Sequence, residues 1–232
     1  MSMEMYACPN LLAETNWLAE HMDDLDIRIV DCEPPDAYHR AHIPGAVNVG
    51  SNTYIKGDGG LHVMPQSEIA DFMGGLGIGN NTVVVLYDGR GSLLAARFWW
   101  VLNYYGHDNS RILNGGWRKW LVEGRPVTDR VSHAPRATFT PSVNTSILVT
   151  GEELKASVNK AGVAIWDVRS LEEHIGVNSR GNKRSGCVPG ATHLEWSRVI
   201  DLDGLMTFKP ANEILEMFTT KGLTPDKQVY TY

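Results

Sequence analysis

His42-Ile43-Pro44-Gly45-Ala46 and Cys187-Val188-Pro189-Gly190-Ala191 stand 145 positions apart in a chain of 232 residues. Kept at that offset without a gap, Asp58-Gly59 falls on Asp203-Gly204, Pro65 on Pro210, and Glu68-Ile69 on Glu213-Ile214. Further on, Gly77 falls on Gly222, Val84 on Val229 and Tyr87 on Tyr232. This many ungapped identities at so long a period point to a duplicated domain, because stacked repeats have periods of only about 20–50 residues. Upstream, Ile29-Val30-Asp31 answers to Ile165-Trp166-Asp167, and there the second copy carries about nine extra residues around Val177 to Lys183, which reads as a surface loop insertion. Between the copies, Ser132 to Thr145 holds Pro135 and Pro141 among Ser, Thr, Asn and Ala, the composition of an extended linker. The expected organisation is a first domain over residues 1–131, a linker over 132–145 and a partial second domain over 146–232.

Each copy alternates strand and helix. Ile27 to Val30 is a short β-rich run ending at Asp31, and Thr82 to Tyr87 is a continuous apolar run between Asn80-Asn81 and Asp88-Gly89. A run of that kind suits a strand buried on both faces of a parallel sheet. Ile69, Phe72, Met73 and Leu76 recur at helical spacing over Ser67 to Leu76, with Gly77 as a stop. Ser92 to Tyr105 reads as a helix closed by Gly106, Arg111 to Leu113 as a strand, and Trp117 to Glu123 as a helix closed by Gly124. The expected class is α/β, with a central, mostly parallel sheet flanked by helices in each domain. Gly75, Gly77 and Gly79 follow a helix and precede a strand, the reverse of a dinucleotide-binding fingerprint, so they are not read as one.

Composition narrows the function. Hydrophobic residues make up 43% and charged residues 21%, as in ordinary globular chains. A net charge of −6 gives no basic excess to hold a phosphate backbone, so nucleic acid is not an expected partner. No apolar run approaches the roughly 20 residues that span a bilayer, and Met1 to Asn10 lacks a secretory pattern. Cys8, Cys32 and Cys187 form neither a disulfide framework nor a CxxC pair, so a reducing, cytoplasmic setting and no structural metal are expected.

Asp88-Gly89-Arg90-Gly91-Ser92 lies between the buried strand and the helix that follows it. Ligands of parallel α/β sheets bind beyond such strand ends, where loop N–H groups converge and the helix adds its positive end. A cysteine at the first loop position would have its pKa lowered there. This copy has Asp88 instead, a residue that accepts loop N–H bonds but cannot act as a sulfur nucleophile. The second copy's counterpart is position 233, one past Tyr232, so the second domain is expected to be C-terminally incomplete, with the strand that ends at Tyr232 central to its sheet.

These residues resemble the rhodanese family, specifically its tandem-domain sulfurtransferases of bacterial type. Tyr38 to Val49, with Asp31 ahead of it, is similar to the family's N-terminal signature. Asn114-Gly115-Gly116-Trp117 to Leu121 resembles its Gly-Gly-Trp segment. Asp167-Val168-Arg169-Ser170 and Arg184-Ser185-Gly186-Cys187-Val188-Pro189-Gly190-Ala191 resemble the second signature, with Cys187 in place of His. The resemblance implies a catalytically silent first domain with Asp88 at the degenerate loop position. It implies a second domain whose cysteine, expected immediately after Tyr232, takes sulfane sulfur from thiosulfate, releases sulfite, and passes the sulfur to cyanide or a thiol. That chemistry needs no cofactor and no metal, and the tandem members are monomers. The chain as given lacks the nucleophile and is expected to be inactive alone, and Cys187 lies too far upstream to replace it.

The same resemblance names candidate substrate contacts. Arg184 precedes the second turn motif and Arg180 is a weaker match; the alternative for both is a solvated basic loop with Lys183. His62 sits in a segment similar to one that faces the pocket in mercaptopyruvate-using relatives. Glu173 stands where those relatives carry Arg, which favours thiosulfate over 3-mercaptopyruvate. His42, Asp31 and Asp167 read as turn-holding residues. The rival reading is a non-catalytic binding or regulatory module of the same fold.

Overall fold

The computed structural model describes residues 6–50 and 63–232, which fall into two compact units. One comprises Ala7–Ile147 with Leu202–Thr207; the other comprises Leu148–Asp201 and Phe208–Tyr232 together with Tyr6.

In the first unit the elements are β1 (Leu12–Ala13), α1 (Thr15–His21), β2 (Ile27–Asp31), α2 (Pro35–Arg40), β3 (Val47–Asn48), α3 (Gln66–Gly75), β4 (Val83–Tyr87), α4 (Leu93–Tyr104), β5 (Ser110–Leu113) and α5 (Gly116–Val122). The five strands form one sheet in the order β1-β5-β4-β2-β3, parallel throughout. β4 lies in the middle, which explains its unbroken apolar run: Val84, Val85, Leu86 and Tyr87 are all buried. Helices cover the sheet through apolar stripes, Ile69 and Met73 from α3 and Ala95, Phe98, Val101 and Leu102 from α4. The elements that patterning does not reveal are the short ones. A two-residue strand such as β1 or β3 has no period to read, and α2 is a short helix opened by Pro35.

The second unit carries α6 (Gly151–Ser157), β6 (Val163–Asp167), α7 (Leu171–His174), β7 (Thr192–His193), α8 (Ala211–Thr220) and β8 (Gln228–Thr231). Its sheet has the order β7-β6-β8, again parallel. The repeat reappears as register. Asp31 pairs with Asn48 and Asp167 with His193; Ile27 pairs with Val83 and Val163 with Gln228. One expectation needs correction. β8 is not central but lies at the margin of its three-stranded sheet, because among the described residues no strand pairs with its far side. The likeness of the two sheets therefore lies in the β6–β8 register, not in strand position.

The segment expected to be a linker is extended, as its prolines require, but it is fastened along the first unit. Ala137 N–H donates to Gly74, Ser142 N–H to Tyr105 and Asn144 N–H to Tyr104, and Phe139 is buried.

Candidate active-site loops

The loop from Asp88 to Ser92 joins the C-terminal end of β4 to α4. Gly91 and Ser92 both have φ of +69°, which curls successive N–H groups toward one centre. Asp88 fills that centre and is 2% exposed. Its Oδ1 accepts from the N–H groups of Arg90 (2.8 Å) and Ser92 (2.9 Å), and its Oδ2 from those of Leu94 (2.7 Å) and Ala95 (2.8 Å). Two of the four donors belong to the first turn of α4, where the helix dipole favours negative charge. Behind the loop, Gly116 (φ +48°) lets its backbone approach: a Cβ there would stand 2.2 Å from the Asp88 carbonyl oxygen, which instead accepts from Trp117 N–H at 2.9 Å. The cradle is built to hold one compact anion, and Asp88 supplies it.

Next to the loop lies an open groove of about 450 Å³, lined by Asp31, Glu33, Arg40, Gly89, Arg90 and Trp117 among others. Asp31 ends β2 and is 2% exposed. Its Oδ1 accepts from Glu33 N–H at 2.7 Å and its Oδ2 from the Tyr87 hydroxyl at 2.7 Å; that hydroxyl in turn accepts from Ile43 N–H at 3.1 Å. Burial raises the Asp31 carboxyl to about 6, against the pull of these hydrogen bonds. Glu33 reaches across to the loop: Oε1 accepts from Gly89 N–H at 2.9 Å and Oε2 lies 3.4 Å from Arg90 Nε. Cys32 is buried between them, and burial together with the Asp88 charge pushes its thiol well up, so it stays an unreactive thiol. His42 is fully buried; Nδ1 lies 2.7 Å from the Tyr38 carbonyl and Nε2 lies 3.1 Å from that of Arg130.

The second unit repeats this framework with different charges. The Tyr232 hydroxyl donates to Asp167 Oδ2 at 3.0 Å and accepts from Val188 N–H at 2.9 Å, as Tyr87 does with Asp31 and Ile43. Arg169, at the place of Glu33, closes on Asp167 through Nε (2.9 Å) and Nη2 (2.7 Å), donates to the Gly186 carbonyl at 3.0 Å and lies 4.9 Å over the Tyr232 ring. His174 Nδ1 sits 2.9 Å from Asp167 Oδ2, and His174 stacks on His193, whose Nε2 donates to the Arg169 carbonyl at 2.9 Å. Although Asp167 is buried, bonds from Arg169, His174 and Tyr232 outweigh the burial and hold its carboxyl well below the usual range. The Arg169 guanidinium is correspondingly raised by the Asp167 bond.

Arg184 is exposed, as is Arg180, whose Nε pairs with Glu173 Oε2 at 3.2 Å. Glu173 is itself buried and completes a capping box with Ser170 at the start of α7. Cys187 is exposed on the turn before Val188. His62 lies outside the described residues. The tyrosine hydroxyls, Arg169 and the two histidines are the polar members that sequence reasoning did not single out; the pairing of Tyr87 with Tyr232 in the repeat was the signal available. Among the described residues no group of three or more His, Cys, Asp or Glu could hold a metal, and no helix is long and apolar enough to cross a membrane.

Residues 14–123 match the rhodanese-like domain. The chain is 33% identical to the sulfur carrier protein TtuD of Thermus thermophilus, over 98% of this chain and 83% of that protein. It is 31% identical to the thiosulfate sulfurtransferase of Bos taurus, over 90% of this chain and 76% of that protein. Among solved structures it is similar to SseA of Escherichia coli, described as a 3-mercaptopyruvate sulfotransferase, with a TM-score of 0.83 and 24% identity, covering 95% of this chain and 87% of that one.

Proposed function

The chain belongs to the rhodanese family, and on that premise we propose that it serves thiosulfate sulfurtransfer, passing sulfane sulfur to cyanide or a thiol through a cysteine persulfide. The observation that carries this reading is the four-donor cradle around the Asp88 carboxylate. The same donors would hold a thiolate or a terminal persulfide sulfur, and charge-assisted bonds of this kind contribute about 1.5–3 kcal/mol each. In the reaction a cysteine thiolate attacks the outer sulfur of thiosulfate. A new S–S bond forms, the bond to the sulfonate sulfur breaks, and its electron pair leaves with sulfite. The acceptor thiolate or cyanide then attacks the persulfide's outer sulfur and returns the cysteine thiolate. Neither step calls for a metal or an organic cofactor.

In this reading the first unit is silent, because Asp88 already supplies the anion. The nucleophile belongs to the second copy's counterpart of Asp88, which none of Cys8, Cys32 and Cys187 occupies. The polypeptide of these 232 residues, given thiosulfate and cyanide, should therefore produce no thiocyanate above background. Asp88→Cys supplies the positive test. Treated with thiosulfate, that variant should gain one sulfur atom by mass spectrometry, and its introduced thiol should titrate below the ordinary cysteine value of about 8.5. Turnover by the unaltered polypeptide, or an Asp88→Cys variant whose new thiol titrates normally and takes up no sulfur, would overturn the reading.

A second reading is favoured by Asp88 itself: a filled cradle makes the first unit a non-catalytic binding module. It predicts that Asp88→Cys remains unmodified by thiosulfate while the unit's fold is unchanged.

A further inference from the structure

The two copies differ at one position that faces the loop. Glu33 stands two places after Asp31 and Arg169 two places after Asp167, at the ends of strands with the same register. In the first unit this side chain does not stop at its own turn. Its Oε1 bonds the N–H of Gly89, the residue next to Asp88, and its Oε2 approaches Arg90, while it lines the groove beside the loop. In the second unit Arg169 takes the same place beside the end of β8, held by both oxygens of Asp167, by the Gly186 carbonyl and against the face of Tyr232.

We infer that Glu33, two places after the strand-end Asp31, is the charge selector of the first loop, refusing an anionic sulfur donor. Glu33 places a carboxylate at the mouth of the first loop and repels dianions such as thiosulfate, independently of the plug formed by Asp88. In the second copy Arg169 stands at the corresponding place, its guanidinium paired with both oxygens of Asp167, so no carboxylate stands there. Glu33 is a specificity-determining position, distinct from the basic residues of the 180–184 loop, which are exposed. The inference rests on the sulfurtransfer reading, and the test separates the two.

The test uses the first loop with Asp88→Cys as background, and compares Glu33, Glu33→Gln and Glu33→Arg. Two second-order rates are measured on the introduced thiolate: sulfur uptake from thiosulfate, and alkylation by uncharged iodoacetamide. The ratio of the two removes any change in thiolate fraction or in loop accessibility. That ratio should rise at least tenfold from Glu33 to Glu33→Arg, with Glu33→Gln between them, and the gain should shrink as salt screens the charge. A ratio that stays constant across the three, or a gain insensitive to salt, would overturn the selector role. If Glu33→Arg fails to fold, the Glu33→Gln step carries the same decision with a smaller rise of about threefold. Failure of the Asp88→Cys background to take up sulfur at all would instead count against the sulfurtransfer reading. The salt dependence of thiosulfate quenching of a fluorophore attached to the introduced thiol would then still decide the selector.

Discussion

Asp31 and Asp167 end equivalent strands, accept from equivalent tyrosines and lie equally deep, yet they sit in opposite electrostatic settings. Asp31 has neutral donors and the carboxylate of Glu33 for company, and burial raises it to about 6. Asp167 has Arg169 and His174, and is held ionised. Among the described residues, the first unit surrounds a reluctant carboxylate with apolar burial. The second builds a charged hub that ties β6, α7, the turn before Val188 and Tyr232 together. The same polar framework can thus carry opposite charge, because the hydrogen bonds depend on register and the charge on the few side chains beside the carboxylate.

The strongest way to break this comparison is to neutralise each aspartate in turn. Asp167→Asn leaves the Arg169 guanidinium without its counter-charge, and a loss of about 3–5 kcal/mol in the second unit is expected by denaturant unfolding. A loss below about 1 kcal/mol would show that the hub is not what holds the unit.

Asp31→Asn should do the reverse. A carboxyl raised in the folded state binds more protons there than in the unfolded chain. Asp31 therefore destabilises the fold progressively as pH rises through the window from about 4 to about 6, by up to about 3 kcal/mol. Asp31→Asn removes that slope and should equal or exceed the parent in stability at pH 7. Unfolding curves taken from pH 4 to pH 7 check this, and an unchanged slope would refute the raised carboxyl.

A smaller contrast is expected from the hydroxyls. Tyr87→Phe strips a buried hydroxyl that serves both Asp31 and Ile43 and should cost about 2 kcal/mol. Tyr232→Phe should cost about 1 kcal/mol, since that residue is only partly buried. Thermal melts of the two variants rank them. Least of all, Arg180→Ala removes an exposed ion pair to Glu173 and should cost no more than about 0.5 kcal/mol, because Glu173 keeps its capping role.

The alternation of strand and helix, the centrality of β4 and the special character of the Asp88 loop were legible in the chain. Long apolar runs and helical spacing are local signals, and the repeat supplied each copy with a second reading of the other. The short strands were not legible, because two residues carry no period. Nor was the margin position of β8, because a strand's neighbours are chosen by the rest of the sheet.

By itself, then, the order of residues determined the internal sequence repeat, the α/β class and the place where loop N–H groups would converge, since each follows from spacing along the backbone. Tertiary structure alone decided which tyrosine reaches which aspartate, that Glu33 touches Gly89, and that Arg169 closes on Asp167 with a histidine at its side. The tyrosine and Glu33 contacts join strand ends across many intervening residues, and a carboxylate's charge state follows from the groups the fold brings within a few ångströms of it.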